Sequence, residues 1–272
     1  MLRFGPRIIP SAAVFAALLA GVGIALPRVA QGEELIAFYR ASWGGLPAAL
    51  VKLSLGQTDS AYSDKIQIAT VGVPRWFSHF RGGAKAEGVL SEGGAAMPER
   101  YDALYDLRKR HDSRISLRFA EAAGGTLAER GPDDTTRKPP LAERLRHNVI
   151  DPVSAFAAIR HRLAIDPAKK GARFTVPVYD GARRFDVAVL VEAVGGTPDV
   201  IGLHLELRPI AGFKGETSED GDPDDAPRPV EVTLTDDSRL LPLSLEVSVA
   251  WLPLVVRFEH LCGSMAQCTE TN

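Results

Sequence analysis

Apolar and polar residues alternate along several short segments of the chain, and this alternation restricts the fold more than any other feature. The segment 113–119 puts its three large apolar residues on one face of a strand and Arg114, Ser116 and Arg118 on the other. The segment 201–208 repeats the pattern with four apolar residues. Because successive side chains of a strand point to opposite faces, both segments are predicted to be half-buried β-strands. Weaker strand candidates are 35–43, 48–55, 62–70, 84–91, 173–179, 184–193, 230–235, 243–251 and 254–260.

Pairs of glycines recur at short intervals and predict tight turns between these strands. The pairs are Gly44-Gly45, Gly82-Gly83, Gly93-Gly94, Gly124-Gly125 and Gly195-Gly196. Together with the alternation they predict a mainly β fold built on an antiparallel sheet.

The segment from Leu141 to Leu163 lacks alternation and is rich in Ala, Leu and Arg, which predicts a helix interrupted once. Asp151-Pro152 is the predicted restart, because Asp can cap free N–H groups and Pro suits the first helical position. The apolar residues that follow at helical spacing are expected to pack against the sheet. They are Val153, Phe156, Ile159 and Leu163.

The first 32 residues have the pattern of a secretory signal peptide. Arg3 and Arg7 precede an apolar run over 8–26, and small residues at 30–32 stand at cleavage-site spacing. We therefore expect a periplasmic protein cleaved after Gly32. The alternative is an uncleaved leader that anchors the chain in the inner membrane, since the apolar run is long enough to span a bilayer.

Residues 33–272 are expected to form a single β-rich domain. Two polar, proline-rich stretches near 131–140 and 215–229 are predicted to be mobile loops. The full chain has 32 basic and 34 acidic side chains, and loss of Arg3, Arg7 and Arg28 with the leader leaves a formal charge of −5. That charge argues against a nucleic-acid partner, because phosphate binding needs a concentrated basic face.

The residues of the mature region show no catalytic motif and no transition-metal spacing. The histidines are scattered, and the nucleophile-elbow, phosphate-loop and dinucleotide-turn patterns are missing from the sequence. The acidic loop places Asp220, Asp222 and Asp224 at calcium-loop spacing, but Asp225 replaces the glycine such a loop needs and prolines interrupt it. We expect no metal, no cofactor and no enzymatic activity.

Cys262 and Cys268 are the two cysteines of the chain. In an oxidising compartment they could form a disulfide, and two unpaired thiols are the equal alternative, since spacing alone does not establish disulfide geometry.

Four segments of the sequence resemble an uncharacterised, exported proteobacterial family of unknown function. They are 88–101 with the following strand 114–119, Ile150-Asp151-Pro152-Val153-Ser154-Ala155, 176–186 and 207–214. The resemblance covers nearly all of 35–260. That family is similar in fold to the periplasmic lipoprotein carriers LolA and LolB, so the resemblance implies a curved antiparallel sheet, an open or half barrel, wrapped around one or two helices with an apolar cavity. The family supplies no binding or catalytic residues to carry over.

A curved sheet facing one helix favours the binding of an apolar ligand such as a lipid or a lipoprotein acyl chain. The hypothetical lining or mouth residues are Trp43, Trp76, Phe77 and Phe80, because the stretch 74–80 is rich in aromatic residues. Core packing without a ligand is the simpler reading of the same side chains. The alternative function is a non-catalytic structural or interaction protein of the cell envelope, with sheet edges or the acidic loop recruiting a protein partner.

Overall fold

The computed structural model describes residues 34–262 except 78, 108–109, 137–138, 167–168, 197, 214–225 and 250. The predicted leader over 1–32 and most of the acidic loop therefore lie outside the described residues, as does Cys268. Cys262 is buried at the end of the last strand. Its pairing with Cys268 stays a prediction.

The described residues form one sheet of thirteen strands, and every neighbouring pair is antiparallel. The spatial order is β7-β6-β5-β4-β3-β2-β1-β13-β12-β11-β10-β9-β8, so the first and last strands in sequence meet at the middle. The strands are β1 Leu35–Trp43, β2 Leu46–Gln57, β3 Ala61–Thr70, β4 Arg81–Leu90, β5 Ala96–Leu107, β6 Arg110–Ala122, β7 Gly125–Arg130, β8 Arg173–Tyr179, β9 Arg184–Val194, β10 Val200–Ala211, β11 Arg228–Thr235, β12 Pro242–Val249 and β13 Leu252–Cys262.

The alternation correctly predicts which side chains face inward. Leu117 in β6 and Ile201 and Leu203 in β10 are buried, while Arg114 is exposed. The mainly β fold class is confirmed. One turn prediction is wrong: Gly82-Gly83 lies inside β4, where a residue without a side chain is compatible with extended backbone.

A short segment closes the sheet into a nearly complete barrel. The Ala128 N–H of β7 donates to Arg146 O at 3.0 Å, and the Asn148 N–H donates to Thr126 O at 2.7 Å. Two residues later the Ile150 N–H donates to Pro177 O of β8 at 2.9 Å. The segment 146–150 thus bridges the two edge strands. The helix predicted from Leu141 is wrong here, because only a 3₁₀ turn over Glu143–Leu145 forms before this extended bridge.

Two helices accompany the sheet, α1 at Gly72–Phe77 and α2 at Pro152–Ile165. The predicted cap of α2 is confirmed: an oxygen of Asp151 accepts hydrogen bonds from the Val153 and Ser154 amides, both at 2.9 Å. Helix α2 contacts β3, β4, β5 and β8 and is buried on nearly all sides. It therefore lies inside the barrel, where its apolar residues join three core clusters that span the whole sheet.

Part of the predicted loop near 131–140 is hydrogen-bonded to β6. The Gly131 N–H donates to Ser116 O at 2.8 Å, and the Ser116 N–H donates to an Asp134 carboxylate oxygen at 3.1 Å. In the part of the chain that the structure describes, no helix has the length and apolar character needed to cross a membrane.

Candidate ligand-binding groove

The outer face of strands β1 to β6, together with the end of β13, forms a groove of about 1020 Å³. Two other clefts measure about 500 and 490 Å³. Strand register places one row of outward residues across seven strands. That row is His260, Phe38, Lys52, Gln67, Gly83, Leu104 and Arg114.

The bottom of the groove is made by small residues on β3 and β4. Ala69 and Gly83 both line it, and Gly83 presents only backbone. A Cβ atom at Gly83 would come within 3.2 Å of the Ile66 carbonyl oxygen. Side chains are small at these positions of β3 and β4 and long on each side of them. The sheet surface between the long side chains is therefore open to a ligand.

Apolar side chains stand on both sides of the groove. Leu50 on β2 is 44% exposed and Leu104 on β5 is 43% exposed. The ring of Phe38 stacks on that of His260 with centroids 4.8 Å apart, and the Lys52 ammonium lies 5.7 Å from the Phe38 centroid. Exposed leucines on facing walls are typical of a surface that covers an apolar group.

The charged residues lining the groove are mostly basic. Seven are Lys or Arg and three are acidic. The basic set is Arg40, Lys52, Lys65, Arg81, Lys85, Arg100 and Arg114, and the acidic set is Asp102, Asp106 and Glu259. This surplus contrasts with the formal charge of −2 for the whole chain.

Several of these charges are already paired within the protein. Arg40 pairs with Glu259 at 2.6 Å, and the Ser116 hydroxyl donates to Asp102 at 2.7 Å. Partial burial would raise the pKa of Asp102, but hydrogen bonds from Arg100 and Ser116 outweigh it and hold that pKa below its ordinary value. Asp102 thus remains a carboxylate and offsets part of the basic charge.

The basic surplus is concentrated around the small residues of the groove floor. Lys65 on β3 stands directly opposite Lys85 on β4, and Arg81 precedes the two glycines. Like charges placed opposite each other on adjacent strands are destabilising. Lys85 is ion-paired with Glu87 on its own strand and also stands opposite Asp102 on β5, which offsets part of that repulsion.

A buried polar cluster lies on the other side of the sheet, between α2 and the inner face of β1 and β3. Arg160 Nη1 is 3.9 Å from an oxygen of Asp64, and both side chains are almost fully buried. The Tyr39 hydroxyl, both Asp64 oxygens and Arg160 Nη1 have no hydrogen-bond partner among the described residues. Burial raises the pKa of Asp64 to about 6, although Arg160 acts in the opposite direction. The arginine also donates to Arg239 O at 2.7 Å, which ties α2 to the turn after β11.

A second buried carboxylate, that of Asp151, holds the start of α2. The Ser154 hydroxyl donates to it, and the Tyr62 hydroxyl donates to Ser154 at 2.7 Å. Burial raises the pKa of Asp151 to about 6, while its hydrogen bonds to Ser154 and to the Val153 amide act to lower it. These contacts fix α2 to β3, so the buried carboxylate of Asp151 has a structural role.

The four aromatic residues expected at a ligand site lie around one end of the barrel, at or near the ends of β1, α1 and β4. Trp43 ends β1 and its indole N–H donates to Val249 O at 3.0 Å, while Trp76 on α1 is 70% exposed. The side chain of Phe77 lies outside the described residues. Phe80 precedes β4 and its ring lies 2.7 Å from where a Gly82 Cβ would stand. Trp43, Trp76 and Phe80 are not among the residues that line the groove, and the role of all four in binding stays a prediction.

Sequence reasoning missed the groove residues themselves. Lys65, Gln67 and Lys85 look like ordinary solvated strand residues, and only the pairing of β3 with β4 brings them together. The available signal is the run of small residues Gly82-Gly83-Ala84, of which the two glycines instead predict a turn before a strand that begins at Ala84.

Within the described ranges, no group of three or more His, Cys, Asp or Glu side chains is placed to hold a metal ion. The acidic loop with Asp220, Asp222 and Asp224 lies outside those ranges, so the expectation that it lacks a calcium site stays a prediction.

The fold and the groove define a β-barrel-like protein with a surface large enough for a ligand. The chain belongs to the family described as "Protein of unknown function (DUF3108)", whose model matches residues 39–259. No curated protein matches the chain. It is similar in fold to the crystal structure of a beta-barrel-like protein of domain of unknown function DUF1849 from Brucella abortus. That match has a TM-score of 0.52 at 10% identity and covers 85% of this chain and 98% of the other.

Proposed function

We propose that this protein is an exported, non-catalytic binding protein that holds an anionic amphiphile, such as a fatty acid or another acidic lipid, in its outer groove. The observation that carries the proposal is the combination of exposed Leu50 and Leu104 with seven basic residues around a floor of small side chains. The leucines would cover an acyl chain, and Lys65 and Arg81 would face the acid group.

The size of the groove supports a small-molecule ligand. Ligand pockets usually measure about 300–1,000 Å³, and the groove lies at the upper end of that range. The barrel interior is a weaker candidate because α2 occupies it and its apolar residues pack into the core clusters. The expected likeness to lipoprotein carriers and the periplasmic location are part of this proposal, and the leader over 1–32 supports the location.

The alternative role as an envelope scaffold receives less support. Its expected docking surfaces are free sheet edges or the acidic loop; the loop lies mostly outside the described residues, and the segment 146–150 hydrogen-bonds to both edge strands, β7 and β8. A paired edge cannot accept another strand over those residues.

The test is binding of dansyl-undecanoic acid, a fluorescent anionic fatty acid, by the purified protein. The double variant Lys65→Glu/Arg81→Glu replaces two exposed basic residues of the groove. Each reversed surface charge is worth about 1 kcal/mol, so we expect the Kd to rise about tenfold or more. The matched control is Lys169→Glu/Lys170→Glu, two exposed lysines between α2 and β8. It should leave the Kd unchanged.

The contribution of the acid group is isolated by a second probe of the same chain length, the uncharged dansyl-undecanoyl amide. The proposal predicts weaker binding of the amide than of the acid by the wild-type protein, and equal binding of the amide by wild type and the groove variant. Equal affinity of the acid for both double variants would show that the probe binds elsewhere and would overturn the proposal.

A further inference from the structure

Three neighbouring connections at one end of the barrel expose large apolar side chains. They are the β1–β2 turn, helix α1 and the β12–β13 turn. Trp76 and Trp251 are 70% and 75% exposed. We call the exposed set the aromatic tip, and its members are Leu46, Val73, Trp76, Val249 and Trp251.

Hydrogen bonds and close contacts show that the three connections are adjacent. The Gly44 N–H donates to Pro253 O at 2.9 Å, which joins the β1–β2 turn to β13. The Val71 N–H donates to Ala48 O at 2.9 Å, which joins the start of α1 to β2. The β1–β2 connection is thus hydrogen-bonded to both of the other two.

The composition of these connections differs from that of a solvated surface. Segments 43–50, 70–80 and 247–255 contain no Asp or Glu, and Arg75 is their one Lys or Arg. Over the whole chain 24% of residues are charged. Each segment also contains a proline directly after an apolar residue, at Pro47, Pro74 and Pro253, which limits backbone freedom.

The backbone holds Trp251 outward at a conformational cost. Its φ is +57°, a left-handed conformation that a bulky residue rarely adopts. Trp43 helps to fix this turn, because its indole N–H donates to Val249 O. Strain and exposure together at one aromatic residue point to a function for that side chain outside the barrel.

We propose that the aromatic tip docks on the surface of a lipid bilayer, with Trp76 and Trp251 at the boundary between the headgroups and the acyl chains. Tryptophan is enriched at this interface because its ring is apolar and its N–H is polar. The absence of acidic residues removes repulsion from anionic headgroups, and Arg75 adds attraction. A hydrophilic protein partner would be expected to meet polar or charged side chains on this surface.

The position of the tip would place the groove next to the membrane. Ala69 and Arg81, which line the groove, flank α1 on the two central strands, and Leu50 lies four residues after Leu46. The docking proposal does not depend on a ligand in the groove, since none of the five tip residues lines the groove.

The test is quenching of tryptophan fluorescence by vesicles of brominated phosphatidylcholine containing phosphatidylglycerol. Quenching by bromine reports contact of the indole with acyl chains, and the leader over 1–32 contains no tryptophan, so an inserted leader gives no signal of its own. The chain has three tryptophans, and Trp43 is hydrogen-bonded within the protein. We expect strong quenching of the wild-type protein, and its loss in Trp76→Ser/Trp251→Ser, which retains Trp43.

Affinity for vesicles is measured in the same samples by co-flotation of protein whose N-terminus has been determined. The tip variant should bind about tenfold more weakly, and Met97→Ser, which removes an exposed apolar residue of β5, should bind as the wild type does. The groove variant Lys65→Glu/Arg81→Glu should keep its tryptophan quenching, which separates this proposal from the groove ligand. Wild-type protein without quenching overturns the proposal, as does concentration-dependent dimerisation that the tip variant abolishes.

Discussion

Replacing Arg160 with Met probes how α2 is held inside the barrel. Arg160 and Asp64 lie 3.9 Å apart with side-chain exposures of 8% and 0%, so the substitution leaves an unpaired carboxylate in the interior. Removing one partner of a buried pair costs about 3–5 kcal/mol. Arg160 also donates to Leu240 O at 3.3 Å and to Arg239 O at 2.7 Å, and both bonds are lost. We expect the free energy of unfolding to fall by about 3–5 kcal/mol at neutral pH.

The loss should shrink in acid, because a protonated Asp64 has no charge to bury. Burial raises the folded-state pKa of Asp64 to about 6 even with Arg160 present, and without the arginine it rises further. A carboxyl whose folded pKa is raised contributes stability at pH below its unfolded value of about 3.9, and loses it as pH rises through the folded pKa. The difference between variant and wild type should therefore fall by about 1–2 kcal/mol between pH 7.5 and pH 5.

Urea unfolding followed by circular dichroism at both pH values measures these differences. The matched control is Arg162→Met, since Arg162 is on the same helix but half-exposed, and its loss should cost less than about 1 kcal/mol. The double variant Asp64→Leu/Arg160→Met should return to within about 2 kcal/mol of the wild type. A loss below about 1 kcal/mol for Arg160→Met, or one that does not change with pH, would refute the description of this pair as buried and coupled.

Two further substitutions test the cap of α2 and the closure of the barrel. Asp151→Ala removes the acceptor for the Val153 and Ser154 amides and should lower the urea midpoint by an amount equivalent to about 2 kcal/mol, with Ser154→Ala costing less. An unchanged midpoint would contradict the cap. Asn148→Ala removes hydrogen bonds to the Thr126 amide and to Gly124 O, both 3.1 Å, and should cost about 1–2 kcal/mol and speed hydrogen exchange at Thr126. Exchange as slow as in the wild type would show that the segment 146–150 does not protect the edge of β7.

The strands and the helix cap were predictable because their signals are local. Alternation over 113–119 and 201–208 correctly assigned the inward faces of β6 and β10, and Asp151-Pro152 correctly marked the start of α2. Strands β5 and β7 were missed. In β5 Pro98 and a register shift opposite Glu87 and Gly88 interrupt the alternation, and β7 is only six residues long.

The groove and the closure of the barrel could not be predicted, because both depend on contacts between distant parts of the chain. Asn148 and Ile150 read as part of a helix, yet their amides donate to Thr126 and Pro177 on opposite edge strands. Lys65 faces Lys85 only through the pairing of β3 with β4. The helical spacing of apolar residues also does not show that the sheet encloses α2. A helix that packs on a sheet with only one of its faces has the same spacing.

The groove ligand is tested most directly by photo-crosslinking the purified protein to a fatty acid with a diazirine group at the end of its chain, followed by mass spectrometry of the labelled peptides. The account predicts labels on the strands that contain Leu50 and Leu104, and loss of these labels in Ala69→Leu, which fills the groove floor, but not in Ala120→Leu, an exposed alanine of β6 outside it. Labels confined to α2 would place the ligand inside the barrel and contradict the account.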